Sequence, residues 1–253
     1  MASRDEILEF ADDYLAVRDW TDYCPNGLQV HGADQVTHIA TAVSCSVEVF
    51  ERVAASGAQL LLTHHGLFWR DTPQVIDARA RRRLKLLLDH DITLAGYHLP
   101  LDAHPEIGNN ALIVDGLGMQ RSDAPFAVAA GHSIGAIGEY AHPVPFHEFF
   151  ARVEDMMGQP ALHLGPSPDL VRRVAVCSGG GDRFLDAAIR AGADVMVSGE
   201  PGEPTMALAH EGGIAFIAAG HYASEVFGIR KLGEVLADRF GVVHTFHHVP
   251  NPV

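Results

Sequence analysis

The chain has 253 residues, 47% hydrophobic and 20% charged, with a net charge of −14 from 32 acidic against 18 basic side chains. That composition fits a globular protein with a sizeable core and excludes disordered and fibrous classes. A surface of this sign repels phosphate backbones and anionic membranes, so neither nucleic acid nor membrane is an expected partner. The start, Met1-Ala-Ser-Arg-Asp-Glu6, lacks the basic region and apolar core of a secretory signal, and no run reaches the roughly 18 apolar residues of a membrane span. Cys24, Cys45 and Cys177 are never in C-x-x-C spacing, so neither a disulfide framework nor a thiolate zinc site is expected. A cytoplasmic protein with small buried cysteines follows.

In chain order, Ser3-x-x-Glu6 reads as a capping box opening a helix whose Ile7, Leu8, Ala11, Tyr14 and Leu15 share a face. Asn26-Gly27 is a turn dipeptide. Residues 39–43 and 60–63 are apolar strand runs, alternating with helical stretches at 47–55 and 80–89, the pattern of a largely parallel sheet covered by helices. At the second of those helices lies the basic cluster Arg79, Arg81, Arg82, Arg83 and Lys85, read first as a solvated helix face and second as charge for a phosphorylated ligand.

The chain also repeats itself. Thr41-Ala-Val-Ser-Cys45 leads through a helix to Ser56-Gly-Ala-Gln-Leu-Leu-Leu-Thr-His-His65; Val174-Ala-Val-Cys-Ser178 leads through a helix to Ala191-Gly-Ala-Asp-Val-Met-Val-Ser-Gly-Glu200. Downstream, two apolar strands run into His98 and His221, each followed four residues on by a carboxylate, Asp102 and Glu225. The expected architecture is α/β, with two related halves, each a mainly parallel or mixed sheet covered by helices, and a metal site between them. Residues 1–121 form the first half, and 122–253 the connecting segment and the second. A strand pair and a helix are expected within 122–169, a helix over 109–117, another over 223–240, and a final strand within 241–248.

His64 and His65 close an apolar strand, at the sheet end where ligands bind in open α/β folds. Adjacent histidines pointing to different sides suit two neighbouring metal ions. With Asp102, His221 and Glu225 they provide imidazole and carboxylate without thiolate, a set suited to Zn, Mn, Fe, Co or Ni. Two such ions activate a shared water for hydrolysis, with a carboxylate such as Glu225 able to bridge them. His98 and His104 are the candidate proton carriers. Ser178-Gly-Gly-Gly-Asp182 reads as a tight turn in preference to an anion cradle, since no P-loop lysine follows. No G-x-G-x-x-G follows the first strand, and H-E-x-x-H is missing.

Four segments resemble the Nif-three-like proteins, widely labelled type-2 GTP cyclohydrolase I: Asn26-Gly-Leu-Gln-Val30, Leu62-Thr-His-His65, His98-Leu-Pro-Leu-Asp-Ala-His-Pro-Glu-Ile-Gly-Asn-Asn110 and Gly220-His-Tyr-Ala-Ser-Glu225. The resemblance spans most of the chain, in order, and is closest to the short members without an inserted domain. It implies two divalent metal ions per chain, one held by His64, His221 and Glu225, the other by His65 and Asp102, with Glu225 bridging. It further implies a toroidal homohexamer and a hydrolase acting on a small molecule such as a nucleotide. The competing expectation is a metal-binding regulatory or scaffold protein without catalysis.

Overall fold

The computed structural model describes residues 1–72 and 75–253. The chain divides into two compact units, Met1–Leu101 with Gly228–Val249, and Asp102–Phe227 with Pro250–Val253. Each is a sheet covered by helices, the expected α/β class. The boundary expected after residue 121 falls inside the strand Gln120–Ser122, and the chain from Gly228 to Val249 belongs with the first unit. The reason is a long-range pairing: Val243–Phe246 lies parallel to His38–Ser44, with His244 opposite Ile39.

In the first unit the strand order is Val243–Phe246, His38–Ser44, Leu60–His65, Thr93–Gly96, Gly27–Val30, the first four parallel and the last antiparallel. Leu60, Leu61 and Leu62 are all fully buried. A central parallel strand is covered on both faces, hence its unbroken apolar run. Phe50 and Val53, from the helix Val47–Ser56, and Leu87, from the helix Ala78–Asp89, pack with Leu61 and Leu94. Ser46 accepts the Val49 amide at 3.1 Å and Asp77 the Ala80 amide at 2.8 Å, capping these helices. The basic helix buries only Leu87 fully, as a solvated face should.

In the second unit the order is Leu162–Leu164, Ala215–Ala218, Val195–Ser198, Leu170–Cys177, Ala136–Pro145, Gln120–Ser122. Its inner trio, Leu170–Cys177, Val195–Ser198 and Ala215–Ala218, is parallel and consecutive in space, as is the first unit's trio of His38–Ser44, Leu60–His65 and Thr93–Gly96. That shared trio is the repeat seen in the sequence. Val174, Val176, Val197 and Ile217 pack with Phe149 and Val153 of the helix Phe146–Met157.

Two local expectations change. Ser3 makes no side-chain cap; Ala2–Ser3 is instead held as a short strand against Gln35–Val36, and the Arg4 amide donates to the Asp34 carbonyl. The helix expected from 223 breaks into His221–Ser224 and Val226–Phe240. Among the described residues no helix is long and apolar enough to cross a membrane.

Candidate metal centre

In the first unit, strand alternation separates the two neighbouring histidines: His64 is fully buried and His65 half-buried. His64 Nδ1 lies 3.0 Å from the Tyr97 carbonyl. A carbonyl only accepts, so the imidazole proton sits on Nδ1 and the Nε2 lone pair is the one presented to a cation. Tyr97 is itself fixed, its amide donating to Thr63 at 2.9 Å and its hydroxyl to Asp12 at 2.9 Å. His65 Nδ1 sits 3.1 Å from Ser44 Oγ. His98 joins them: one nitrogen from each of His64, His65 and His98 lies within 4.8 Å of the other two.

The 26–30 segment, expected as a turn and a family-like motif, braces the histidines together with Asp22, which the sequence did not mark. Asp22 Oδ1 accepts from His98 Nδ1 at 2.8 Å, and Oδ2 from Asn26 Nδ2 and the Leu99 amide, both at 2.9 Å. Asn26 Oδ1 accepts the His98 amide at 2.8 Å. Gln29 accepts the Leu67 amide at 2.7 Å and donates to the Pro25 carbonyl at 2.8 Å. A side chain at Gly66 or Gly96 would run into its amide, which explains the glycine after the histidine pair. Burial pushes the Asp22 carboxyl up, but the hydrogen bond and charge of His98, with Asn26 and the Leu99 amide, outweigh it and hold it at about 2. A depressed carboxyl stabilises the fold above its unfolded value and loses that contribution as pH falls through about 2. With the Asp22 side chain 2% exposed, Asp22→Asn should lower the unfolding free energy by roughly 2 kcal/mol at pH 7. Urea titrations of both proteins should converge as the pH approaches that value.

Asp22, Cys24 and His98 also have ligand atoms within 4.8 Å of one another. Burial and the Asp22 charge push the Cys24 thiol up to about 12, so it stays protonated and is a poor ligand.

In the second unit, Asp102 closes the short helix Leu99–Asp102, and Glu225 caps the short helix His221–Ser224. Each His-x-x-x-carboxylate segment is thus one helical turn placed just after a strand, with His221 opening its helix where a strand end was expected. Asp102, 7% exposed, accepts from Asn109 Nδ2 at 2.8 Å and Ser178 Oγ at 3.3 Å. Glu225, 3% exposed, has Oε1 3.3 Å from His221 Nε2, and Glu200 Oε1 is 3.1 Å from His221 Nδ1. Glu200 was not singled out from sequence, although the repeat aligns it with His65. Gly179 packs against this group: its amide donates to Ser224 Oγ at 3.0 Å, and an added Cβ would collide with the Glu225 carboxylate and lie 3.1 Å from His221 Nε2. The Gly181 amide is likewise used by Ser198 Oγ at 3.1 Å. The glycine run is a tight turn, as read from the sequence. His104 is in this unit too, its Nδ1 accepting the Glu106 and Ile107 amides at 3.2 Å in a local turn.

Burial lowers the His221 pKa, but the hydrogen bonds and charges of Glu225 and then Glu200 raise it further, to about 9. A raised histidine stabilises the metal-free fold fully below about 6.5, and the contribution is lost as pH rises through about 9. Chelator-treated protein should therefore lose stability between those values. The loss is on the order of 2 kcal/mol once screening at the partly open Glu200 side is allowed for. A cation held through His221 would displace the same proton, so any rise in melting temperature on adding metal should grow with pH over that interval. Thermal melts with and without chelator check both signs.

The family model for Duf34/NIF3 (NGG1p interacting factor 3) matches residues 2–252. The chain is 41% identical to the GTP cyclohydrolase 1 type 2 homolog of Pseudomonas aeruginosa over 246 residues, 97% of each chain. Among solved structures, the protein ybgI, described as of unknown function, superposes with a TM-score of 0.94 at 40% identity over 100% of both chains. TTHA1606 from Thermus thermophilus superposes with a TM-score of 0.89 at 33% identity, again over 100% of both. This chain belongs to the Duf34/NIF3 family.

Proposed function

We propose that this protein is a metal-dependent hydrolase acting on a small molecule, with His64, His65, Asp102, His221 and Glu225 as the ligands of two divalent ions. The observation that carries the reading is the preset donor chemistry in each unit. The His64 proton is held on Nδ1 by the Tyr97 carbonyl, and Glu225 is buried beside His221 where a glycine makes room for it. Imidazole nitrogens and carboxylate oxygens fit Zn, Mn, Fe, Co or Ni. A pair of such ions supplies a Lewis acid and water activation near neutral pH.

The chain's own residues set the rest. Asp22 holds the His98 proton on Nδ1, leaving Nε2 as the base that takes a proton from water and returns it to the leaving nitrogen or oxygen. His98 takes this role ahead of His104, whose Nδ1 is engaged by two amides of its own turn. In the hydrolysis the water oxygen bonds to the attacked carbon, the carbon–heteroatom bond breaks, and the leaving atom gains the proton. The name carried by the relatives makes the imidazole ring of GTP a first substrate to try. The proposed setting is a cytoplasmic homohexamer.

The test is turnover of metal-loaded protein on GTP and a panel of amides and phosphoesters, after elemental analysis of the protein as isolated. Metal-dependent turnover abolished in Glu225→Ala supports the hydrolase. Metal bound without turnover above that of the variant leaves the regulatory or scaffold reading in its place. Gel filtration reads the hexamer.

A further inference from the structure

Beside the histidine group, the first unit holds a cavity of about 970 Å³ with walls of two kinds. One is aromatic. Tyr23 and Phe68 are each 42% exposed, and the Trp69 ring centroid lies 5.3 Å from that of His98 and 5.8 Å from that of His65. Trp69 is held by its Nε1, which donates to the Gly66 carbonyl at 3.0 Å, so it forms a wall shared by cavity and histidines. Water-exposed aromatics lining one cavity mark a ligand site more often than a resting surface.

The other wall is basic. Arg79 and Arg83, one turn apart on the helix Ala78–Asp89, both line the cavity. On that helix Arg79, Arg82 and Lys85 pair with Asp77, Glu51 and Asp89, whereas Arg83 has no ion pair among the described residues. Arg70 donates to the Asp22 carbonyl at 2.8 Å and lies over the Tyr23 ring at 5.8 Å. The acids lining the cavity, Asp22 and Asp77, are already engaged, the first by His98, Asn26 and Leu99, the second by Ala80 and Arg79. In a chain of net charge −14, three guanidiniums around one aromatic-walled cavity are a local inversion of sign.

We propose that this cavity binds a phosphorylated planar heterocycle, its ring against Trp69 and Tyr23 and its phosphate on Arg83 and Arg79. Guanidinium forks match phosphate oxygens two at a time, and aromatic faces accept any flat ring. The basic helix read first as a solvated face thus has one side that is a recognition surface. The inference deepens the hydrolase reading and rests on it only in calling the ligand a substrate.

The experiment is calorimetric titration of the full-length protein, metal-loaded and chelator-treated, with GTP, guanosine and tripolyphosphate. Trp69 fluorescence in a Trp20→Phe background supplies an independent readout. GTP should bind more tightly than guanosine or tripolyphosphate and quench Trp69. Arg83→Glu, or Arg83→Gln should the reversal disturb folding, should weaken GTP about 10- to 100-fold and leave guanosine unchanged. Glu225→Ala should keep GTP binding in the chelator-treated protein. Unchanged GTP affinity in both Arg83 variants overturns the proposal, as does a change in oligomer size without any effect on ligand, which would make the cavity a subunit contact. GTP binding that depends on Arg83 without turnover of any substrate overturns the hydrolase and leaves the cavity assignment standing.

Discussion

Glu225→Ala should purify with its metal content reduced to background and its turnover at least ~100-fold below wild type, beyond the loss typical of a residue that merely orients a ligand. The carboxylate is 3% exposed and faces His221 Nε2 at 3.3 Å, so its replacement removes one proposed ligand and the partner that orients another. Burying an ionised carboxylate is costly unless a cation or a hydrogen-bond set compensates it. The chelator-treated variant should therefore melt close to chelator-treated wild type, since an unfavourable buried charge disappears together with its favourable pairing to His221. The difference belongs to the loaded proteins. Metal at ~100 times its dissociation constant stabilises wild type by about 2.7 kcal/mol, and this increment should vanish in the variant. Glu225→Gln separates charge from shape: it keeps the side-chain volume and should fail as Ala does. Normal metal content and turnover in Glu225→Gln would remove Glu225 from the site.

The repeat was readable because it rests on local pattern. The apolar runs Leu60–Leu62 and Val195–Val197 lead into Thr-His-His65 and Ser-Gly-Glu200, and buried parallel strands require such runs wherever they occur. His-x-x-x-Asp102 and His-x-x-x-Glu225 were equally visible, as one-turn spacings after a strand. What the sequence could not disclose was partnership across long separations. Asp22 holds His98 from 76 residues away, and Gln29 braces Leu67 from 38 away. An aspartate or glutamine in a polar loop carries no local mark of a distant histidine or amide. The same holds for the final strand, whose residence in the first unit depends on a register with His38–Ser44. Glu200 is a different kind of miss. Its position opposite His65 in the repeat was visible, but a glutamate after a glycine reads as turn chemistry until His221 Nδ1 is found 3.1 Å away.

Gly179→Ala should damage the second unit's proposed ligand group without contributing or removing any proposed ligand, and Gly57→Ala is its matched control. Both glycines have left-handed backbones, with φ of +60° at Gly179 and +71° at Gly57. An alanine in that conformation costs about 1–2 kcal/mol at either position. Their surroundings differ completely. An added Cβ at Gly57 meets nothing within 4 Å, whereas at Gly179 it collides with Glu225 Oε1 and approaches His221 Nε2 to 3.1 Å. The Gly179 backbone has little room to retreat, because its amide is bound by Ser224 Oγ at 3.0 Å and its carbonyl accepts the Gly199 amide at 2.9 Å. The carboxylate must therefore move. A displacement near 1 Å at a reacting centre typically costs ~100-fold in rate, and the same shift spoils coordination distances that tolerate about 0.2 Å. Gly57→Ala should lose about 1–2 kcal/mol of stability by denaturant titration while retaining full metal content. Gly179→Ala should lose a similar amount plus at least ~10-fold in metal affinity, read by competition with a chromogenic chelator. Equal metal affinity in the two variants would mean that the turn merely supports the fold and that Glu225 tolerates displacement. A selective loss in Gly179→Ala makes Ser178-Gly-Gly-Gly-Asp182 a steric template for the glutamate, set by the absence of a single carbon atom.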